Sequence, residues 1–253
     1  MFTSAVVKRP CSNLVNGIRS NDLGVPDFAR ACRQHDTYIA ALEACGLSVT
    51  VLAPEAAFAD SVFIEDTCLV TNKCTVITRP GHPARRGETR SVAHAMARFD
   101  RPVMAITAPG TLDAGDVMQV DHHFYVGLSG RTNAEGIDQL AQILGPFGYT
   151  VSAIALTSVL HLKTGVSYLE NNRLLAWGEF VSHPEFAGFT ILAVDDDEAY
   201  AANSVWINDR VLVPEGFEKT RALIAAHGYD TLAVDMSEFQ KLDGGLSCLS
   251  LRF

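Results

Sequence analysis

Three features that would place a protein at a membrane or on nucleic acid are missing from this sequence. No apolar run approaches the roughly 18 residues that a membrane-spanning helix needs. Lysine and arginine form no clusters and the formal net charge is −9, which argues against nucleic acid or an anionic membrane surface as a partner. Residues 1–10 lack the basic start and apolar core of a signal peptide, so we expect a cytoplasmic protein.

Cysteine is sparse, and its spacing does not indicate a metal site. The 6 cysteines form no Cys-x-x-Cys pair, and none has a nearby histidine at the spacing of metal ligands. An even number permits disulfides, but a chain of 253 residues with 48% apolar content can bury a core without them. We therefore expect reduced thiols, and we predict neither a metal nor a cofactor.

The C-terminal stretch, residues 242–253, places one cysteine in a distinctive setting. Gly244 and Gly245 free the backbone, Cys248 follows them, and the alternating apolar run after it indicates a strand. The cysteine is thus expected where a glycine-permitted turn enters a strand, which can direct a side chain into a cavity. Considered alone, a free cysteine is more often a small buried hydrophobic residue.

A pattern recurs along the chain: a small or polar cluster, an apolar strand, a tight polar turn and a second apolar strand. Four complete copies and a final half copy occur at residues 65–78, 115–127, 165–177, 203–213 and 245–253. Residues 3–8 can supply the missing strand of the half copy, so the two termini would close a ring. Helix-like segments lie between the hairpins, for example at residues 131–144 and 217–227.

The copies are offset by 38 to 50 residues, a period typical of solenoids and propellers. Hairpin–helix–strand units closed by the termini favour an α/β fold, a five-bladed propeller of pseudo-repeated ββαβ units, in a single domain spanning residues 1–253. The alternative is chance similarity among the hairpins of an ordinary α/β sheet. Ahead of the first complete hairpin we predict a polar loop at residues 11–26, a helix at 27–45 and a strand at 48–52.

Polar residues lie at the start of the first strand of every unit, and a propeller would bring them to one mouth of its central axis. They are Glu65, Asp66, Asp113, Asp116, His161, Asn203 and Cys248. A thiolate is a nucleophile, a histidine can move protons between leaving group and water, and carboxylates that share a pocket need a cation. A guanidinium suits paired carboxylates because it donates bidentate hydrogen bonds. These residues therefore indicate a small cationic substrate.

Ordered motifs along the whole chain give a specific resemblance to a known family. The motifs are Phe58-Ala59-Asp60-Ser61-Val62-Phe63-Ile64-Glu65-Asp66, Arg85-Arg86-Gly87-Glu88, Thr111-Leu112-Asp113-Ala114-Gly115-Asp116, Arg131-Thr132-Asn133, Leu160-His161-Leu162-Lys163, Ala201-Ala202-Asn203 and Asp243-Gly244-Gly245-Leu246-Ser247-Cys248. The chain resembles the guanidino-modifying, or pentein, superfamily and, within it, the dimethylarginine dimethylaminohydrolase family. The resemblance implies a five-bladed α/β propeller that hydrolyses Nω-methylated arginine to citrulline and a methylamine. A homodimer is the assembly that we would test first.

The resemblance also implies a role for each matching residue. Cys248 is the nucleophile that attacks the guanidinium carbon and carries a covalent thiouronium intermediate. His161 protonates the departing amine and then activates water, while Asp113 and Asp66 grip the guanidinium. The remaining substrate contacts are Arg85 and Arg131 to the α-carboxylate, Asp60 to the α-ammonium, Glu65 in the substrate pocket, and Ile18 in a lid. Some members of the family have glutamate where this chain has Asp113.

Several of these residues also have a structural interpretation. Taken singly, His161 is more often a satisfied core histidine, and Asp116 is expected to orient its neighbours rather than to touch substrate. Arg85 and Arg86 could form a solvated surface pair. The same holds for other polar residues, with an orienting role for Glu65, a structural role for Asn203, and solvent exposure for His122 and His123.

Other members of the superfamily provide the rival functions. Arginine deiminases and citrulline-hydrolysing relatives share the nucleophile, the histidine and the carboxylates, and amidinotransferases pass the amidino group to an amine. A ribosome-binding translation factor has the same fold without catalysis, but it would not need Cys248, His161 and Asp113 together. Deiminases have an acidic residue two positions after the histidine, where this chain has Lys163. We therefore favour methylated arginine as the substrate.

Overall fold

The computed structural model describes residues 1–253 and contains fifteen strands in five three-stranded sheets. The strands are β1 (Ser4–Lys8), β2 (Ser48–Leu52), β3 (Cys68–Val70), β4 (Thr75–Ile77), β5 (Val103–Ala105), β6 (Val117–Val120), β7 (His123–Leu128), β8 (Thr150–Ala155), β9 (Val166–Tyr168), β10 (Arg173–Ala176), β11 (Thr190–Ala193), β12 (Val205–Ile207), β13 (Arg210–Pro214), β14 (Asp230–Val234) and β15 (Ser250–Arg252). The helices are α1 (Phe28–Ala44), α2 (Thr89–Met96), α3 (Ala134–Leu144), α4 (Leu162–Gly165), α5 (Glu218–Ala226) and α6 (Ser237–Gln240). None of these helices has both the length and the apolar character needed to cross a membrane.

Every sheet has the same topology, an antiparallel hairpin whose second strand is joined by a parallel third strand. In one unit, for example, β6 pairs antiparallel with β7, and β7 pairs parallel with β8. A parallel pair requires a crossover connection, and α3 provides it there. Helices α1, α2 and α5 cross over in three of the other sheets. The prediction of five repeated units is confirmed.

The unit that contains β9, β10 and β11 departs from this pattern, because its crossover has no α-helix. Between β10 and β11 the chain forms only two short 3-10 turns, Gly178–Phe180 and Pro184–Phe186. Gly178 has a left-handed φ of +59°, and Pro184 has no backbone N–H to donate, so both interrupt a helix. The side chains of Phe180 and Phe186, one in each turn, are buried in a hydrophobic cluster.

The two termini close the ring of sheets. Strand β15 pairs antiparallel with β1, with Leu251 opposite Val6, and β1 then pairs parallel with β2. The first strands of neighbouring units pack together, β15 against β3, β6 against β9 and β9 against β12. The predicted closure through residues 3–8 and 245–253 is confirmed, and the fold is a five-bladed α/β propeller.

Helix boundaries depend on capping side chains that the apolar pattern does not show. Helix α3 begins three residues after the start predicted for residues 131–144, because the Asn133 side chain accepts the N–H of Gly136 and caps the first turn. The helices predicted at residues 27–45 and 217–227 are α1 and α5, each one residue shorter at both ends. The pattern therefore locates these helices correctly and their ends approximately.

A short turn precedes the first strand of every unit, always at the same end of the sheet. These turns are Ile64–Thr67 before β3, Ala114–Asp116 before β6, α4 before β9, Asp196–Ala202 before β12 and Ser247–Leu249 before β15. Because the first strands surround one axis, their preceding turns gather at one mouth of the ring. The polar residues that the sequence places at the strand starts therefore lie close together.

Candidate active site

Cys248 lies in the short turn that enters β15, and two glycines allow the turn to pack closely. A Cβ on Gly244 would come within 2.1 Å of the Phe63 ring, and a Cβ on Gly245 would come within 2.4 Å of Asn203 Oδ1. Neither position can hold a larger residue without displacing its neighbour. The Gly245 N–H donates to Cys248 Sγ over 3.4 Å, so the thiol sits against the backbone of its own loop.

Hydrogen bonds from two tyrosine hydroxyls anchor the loop that contains Cys248. Tyr38 of α1 donates to the carbonyl of Leu246 over 2.8 Å, and Tyr200 donates to the carbonyl of Gly244 over 2.7 Å. Sequence reasoning missed both residues. Their partners are 208 and 44 positions away in the chain, and no local pattern marks a tyrosine that anchors a distant loop.

The Cys248 thiol is protonated at neutral pH. Burial, together with the nearby carboxylates of Glu65 and Asp66, raises the pKa of Cys248 to about 12. The Gly245 N–H and the Lys163 ammonium lower that pKa, but they do not outweigh burial and the carboxylates. A thiolate at neutral pH therefore requires an additional positive charge beside the sulfur.

His161 stands immediately before α4 and lines the same cavities as the cysteine. Its Nε2 lies 3.1 Å from Asp113 Oδ2. Burial lowers the pKa of His161, but the carboxylates of Asp66, Asp116 and Asp113 outweigh burial and raise that pKa to about 9. The imidazole therefore carries a proton at neutral pH, which suits a general acid.

Asp116 holds the backbone next to the histidine. Its Oδ1 accepts the N–H of Leu162 over 3.0 Å, and its Oδ2 accepts the hydroxyls of Ser129 and Thr132 over 2.7 and 2.6 Å. The carboxylate is buried and lines neither cavity beside Cys248. This geometry agrees with an orienting function.

Asp113 contacts residues that line the cavities but does not line either cavity itself. Its side chain is fully buried, and Oδ1 accepts the N–H of Gly81 over 2.9 Å. Its Oδ2 faces His161 and lies 3.6 Å from Nη1 of Arg131. Asp113 therefore sits behind the histidine and lines neither cavity.

Asp66 and Arg85 form a buried ion pair, with 2.5 Å between Asp66 Oδ2 and Arg85 Nη1. The Arg85 Nε and Nη2 groups donate to Glu88. Burial favours the neutral form of Asp66, but His161 and Arg85 outweigh it and lower its pKa to about 2. Arg85 is 4% exposed, so it is not half of a solvated surface pair with Arg86.

Two small cavities meet at Cys248. The first, called here the arginine cavity, is lined by Ile18, Asp60, Asp66, Arg85 and Arg131. The other, called here the inner cavity, is lined by Gly115, Lys163, Thr164, Tyr200 and Asn203. Both are also lined by His161, Asp243 and Cys248. Sulfur and imidazole therefore stand at the junction of two spaces.

The arginine cavity offers one carboxylate and one arginine whose hydrogen bonds are largely unused. Arg131 makes no hydrogen bond from its guanidinium within the protein, and its nearest carboxylate oxygen, on Asp113, is 3.6 Å away. Asp60 accepts the N–H of Ile18 through Oδ1 over 3.0 Å. Burial raises the pKa of Asp60, while Arg85 and the Ile18 N–H oppose that shift. The cavity can thus bind a carboxylate at one point and an ammonium at another.

Glu65 belongs to a polar cluster at the wall of the inner cavity. One carboxylate oxygen accepts Ser247 Oγ over 2.7 Å, and the other pairs with Lys163 Nζ over 2.6 Å and with Arg252 Nη2 over 3.3 Å. Its side chain is buried and lines the inner cavity. Sequence reasoning placed Glu65 at the site but missed its cationic partners, because β15 brings Arg252 there from the far end of the chain.

One group of side chains has the composition of a metal site. Oxygen atoms of Asp66 and Asp113 and a ring nitrogen of His161 lie within 4.8 Å of one another. These groups already have cationic partners, however, since Arg85 pairs with Asp66 and the imidazole itself carries a proton. A metal ion would have to displace that proton and lie close to the guanidinium. The residues fit a protonated histidine better than they fit a metal.

Comparison with known proteins identifies the family. A family model described as N,N dimethylarginine dimethylhydrolase, eukaryotic, matches residues 27–179. The N(G),N(G)-dimethylarginine dimethylaminohydrolase of Pseudomonas aeruginosa is 50% identical over 254 residues, covering 100% of both chains. The chain belongs to the dimethylarginine dimethylaminohydrolase family. Another member, from Streptomyces coelicolor, is 36% identical and covers 98% of this chain and 96% of its own.

Solved structures of the Pseudomonas aeruginosa family member share the whole fold. Its cysteine-to-serine mutant complexed with citrulline has a TM-score of 0.98 and 49% identity, with 100% of both chains covered. A dimethylarginine dimethylaminohydrolase with a histidine-to-glycine change, captured as an adduct with S-methyl-L-thiocitrulline, gives the same values. The N-terminal domain of ArgZ, an arginine dihydrolase from cyanobacteria, is 20% identical with a TM-score of 0.88 and shares the fold alone.

Proposed function

We propose that this protein hydrolyses asymmetric dimethylarginine and monomethylarginine to citrulline, with dimethylamine or methylamine as the second product. The observation that carries the proposal is the match to the dimethylarginine dimethylaminohydrolase mutant complexed with citrulline, at a TM-score of 0.98 over the whole chain. Citrulline is the amino acid that remains when oxygen replaces the methylated nitrogen of the guanidinium. The groups around Cys248 support this reaction.

The amino-acid end of the substrate belongs in the arginine cavity. Arg131 can donate two parallel hydrogen bonds to the α-carboxylate, while Arg85 has one Nη1 hydrogen left after its bonds to Asp66 and Glu88. Asp60 Oδ2 has no partner in the protein and can accept from the α-ammonium. The side chain then extends toward Cys248, with its guanidinium facing the carboxylate of Asp66.

The substrate itself supplies the positive charge that the nucleophile lacks. A guanidinium beside Sγ offsets the carboxylates of Glu65 and Asp66, so the pKa of Cys248 falls and the thiol releases its proton to solvent. The thiolate attacks the guanidinium carbon and forms a C–S bond. The protein therefore has a reactive sulfur only when a cation is bound.

His161 completes both halves of the reaction. In the first half, the imidazolium donates its proton to the methylated nitrogen, the C–N bond breaks, and the amine leaves a thiouronium on Cys248. In the second half, the neutral imidazole takes a proton from water, whose oxygen attacks the same carbon. The C–S bond then breaks while the added hydroxyl passes its proton to the departing sulfur, and this releases citrulline, the Cys248 thiol and an imidazolium. The inner cavity, on the far side of Cys248, is the space proposed for the departing amine.

The neighbour of His161 favours a methylated substrate over arginine. Where deiminases have an acidic residue, this chain has Lys163, whose ammonium is paired with Glu65 over 2.6 Å. The pair leaves no unpaired acceptor at that position for a bare terminal NH₂ group. A pocket without such acceptors does not require the substrate to donate there.

We expect purified protein to convert asymmetric dimethylarginine and monomethylarginine, and to act on arginine at least ~10-fold more slowly. A pocket shaped for methyl groups favours a methylated substrate over one without them by ~1–3 kcal/mol. The assay compares these substrates with citrulline and agmatine, and scores citrulline, ornithine, amine and ammonia. Ammonia released from arginine at a comparable kcat/KM would move the assignment to a deiminase. Ornithine formed from citrulline would move it to the citrulline-hydrolysing relatives.

Arg131→Ala is expected to raise KM for dimethylarginine by ~10–100-fold with a smaller change in kcat. The lost hydrogen bonds to a charged group exist before and during the reaction, and such bonds contribute ~1.5–3 kcal/mol. Arg131→Lys keeps the charge but loses the paired donors, so its KM should lie between those of wild type and Arg131→Ala. Agmatine has no carboxylate, and its low kcat/KM should therefore be equal in wild type and variant. A larger loss with agmatine would show that Arg131 has another function.

The other expectations about partners and location belong to the same proposal. An excess of acidic residues, 29 Asp and Glu against 20 Lys and Arg, supports a cationic ligand rather than nucleic acid. A homodimer and a cytoplasmic location stay predictions.

A further inference from the structure

A loop covers the arginine cavity and is attached to it at two points. This loop, called here the lid, comprises residues 17–26 and follows the 3-10 turn Ser12–Asn16. The N–H of Ile18 donates to Asp60 Oδ1 over 3.0 Å, and the N–H of Ser20 donates to Asp243 Oδ2 over 2.5 Å. The side-chain hydrogen bonds of the following residues, up to Gly24, stay within the lid itself.

Asp243 connects the lid to the cysteine loop. It lies directly before Gly244 and Gly245, five positions ahead of Cys248, and it lines both the arginine cavity and the inner cavity. Its carboxylate accepts one hydrogen bond, the one from Ser20. Asp243 thus joins the lid by a hydrogen bond to the loop that carries Cys248.

The backbone of Asp243 adopts a conformation that glycine would adopt more readily. Its φ is +57°, in the left-handed region, where residues other than glycine are strained and where aspartate and asparagine are the best tolerated of them. Two glycines follow, so the loop has no general requirement for side chains here. The hydrogen bond to Ser20 of the lid explains why this position has an aspartate rather than a glycine.

We propose that Asp243 is a positioning residue that latches the lid over the bound amino acid. The other attachment uses Asp60 Oδ1, and Oδ2 of the same carboxylate is the acceptor proposed for the α-ammonium, so the lid and the substrate share that carboxylate. The bond between Ser20 and Asp243 involves no substrate group and can persist throughout the reaction. The proposal rests on the proposed function in one respect, that the molecule beneath the lid is a free amino acid.

Three variants separate the hydrogen bond from the backbone and the charge. Asp243→Gly keeps the left-handed conformation and removes the acceptor. Asp243→Asn keeps both the conformation and an acceptor oxygen, but loses the charge. Asp121→Gly is the matched control, because Asp121 is an exposed aspartate at φ +50° in the turn between β6 and β7, with no side-chain hydrogen bond. Circular dichroism and thermal unfolding would verify that all three fold.

The first readout is cleavage by trypsin after Arg19, an exposed residue of the lid, followed by mass spectrometry of the fragment that begins at Ser20. A lost hydrogen bond to a carboxylate corresponds to roughly a tenfold shift toward an open lid. We expect Asp243→Gly to be cleaved ~10-fold faster than wild type, both alone and with saturating citrulline. Asp243→Asn and Asp121→Gly should match wild type. This readout does not depend on turnover.

The second readout is steady-state kinetics with asymmetric dimethylarginine. Asp243→Gly should raise KM ~10-fold with kcat changed less than about twofold, and Asp243→Asn should restore KM. Equal trypsin cleavage in Asp243→Gly and wild type would overturn the latch, as would an Asp243→Asn variant as impaired as the glycine variant. Faster cleavage in a protein that turns over no methylarginine would support the latch and reject the proposed function instead.

Discussion

Replacing Cys248 by serine is expected to reduce citrulline formation from dimethylarginine by at least ~10³-fold while the fold is retained. A serine hydroxyl has no ionisation near neutral pH comparable to that of a thiol, so no nucleophile forms even with the cationic substrate in place. The fold should survive, since the only hydrogen bond to Sγ comes from the Gly245 N–H and a hydroxyl can accept it. Citrulline assays and thermal unfolding of the same preparation measure both effects.

The control for this change is Cys32→Ser. Cys32 lies on α1 and lines neither cavity beside the nucleophile, so the variant should retain wild-type kcat and KM. Wild-type protein quenched in acid during turnover should carry the thiouronium mass on the peptide that contains Cys248, and the Cys248→Ser variant should not. A serine variant with near-normal turnover would remove Cys248 from the mechanism.

The pKa of Cys248 adds a pH test of the same residue. Burial and the carboxylates of Glu65 and Asp66 raise that pKa to about 12, so the thiolate fraction of the unliganded protein grows with pH up to that value. Alkylation by neutral iodoacetamide should therefore be slow at pH 7 and accelerate through pH 10. A positively charged alkylating reagent brings its own cation into the site and should react faster at pH 7. Equal rates for the two reagents would contradict substrate-assisted ionisation.

The repeated architecture could be predicted from the sequence because each unit depends on local chemistry. Alternating apolar residues indicate the strands, and polar turn residues separate them. In the structure those turns hold left-handed residues such as Asp121, Asn208 and Asp209. Closure of the ring by the termini could also be predicted, because the last hairpin lacks one strand and residues 3–8 can supply it. The short crossover between β10 and β11 was not anticipated, because the pattern of the other units suggests a helix.

The arrangement of the site could be predicted only in part. The residues at the strand starts are brought to one mouth by the repeat, which is why Cys248 and His161 meet. The partners of Arg85 were not predictable, because a pair of adjacent arginines reads the same whether it is solvated or buried against Asp66 and Glu88. Nor did the sequence place Asp113 behind the histidine, since that depends on the packing of Gly81 against a neighbouring unit.

Replacing His161 by glycine is expected to reduce kcat by ~10²–10⁴-fold, the range associated with loss of a general acid–base group. In the proposed mechanism His161 serves both proton transfers, so the variant should either form no adduct or accumulate one on Cys248 that water does not release. His122→Gly is the matched control, because His122 is an exposed histidine in the turn between β6 and β7 and should leave both constants unchanged. Mass spectrometry after acid quench distinguishes the two forms of failure.

The pH profile tests whether His161 acts as the acid of the first step. Burial lowers its pKa, but Asp66, Asp116 and Asp113 raise the pKa to about 9, so the imidazolium is present at pH 7 and is lost as the pH rises through 9. Since the thiolate is already formed in the substrate complex of the proposed mechanism, kcat at saturating substrate should fall as the pH rises through the pKa of His161, and the fall should be absent from the residual activity of His161→Gly. The same residue contributes stability that is complete below its unfolded pKa of about 6.5 and is lost as pH rises toward 9, so thermal unfolding should show this dependence in wild type alone. If His161→Gly keeps both the wild-type kcat and the decrease in kcat at high pH, His161 is a core residue and another group carries out the proton transfers.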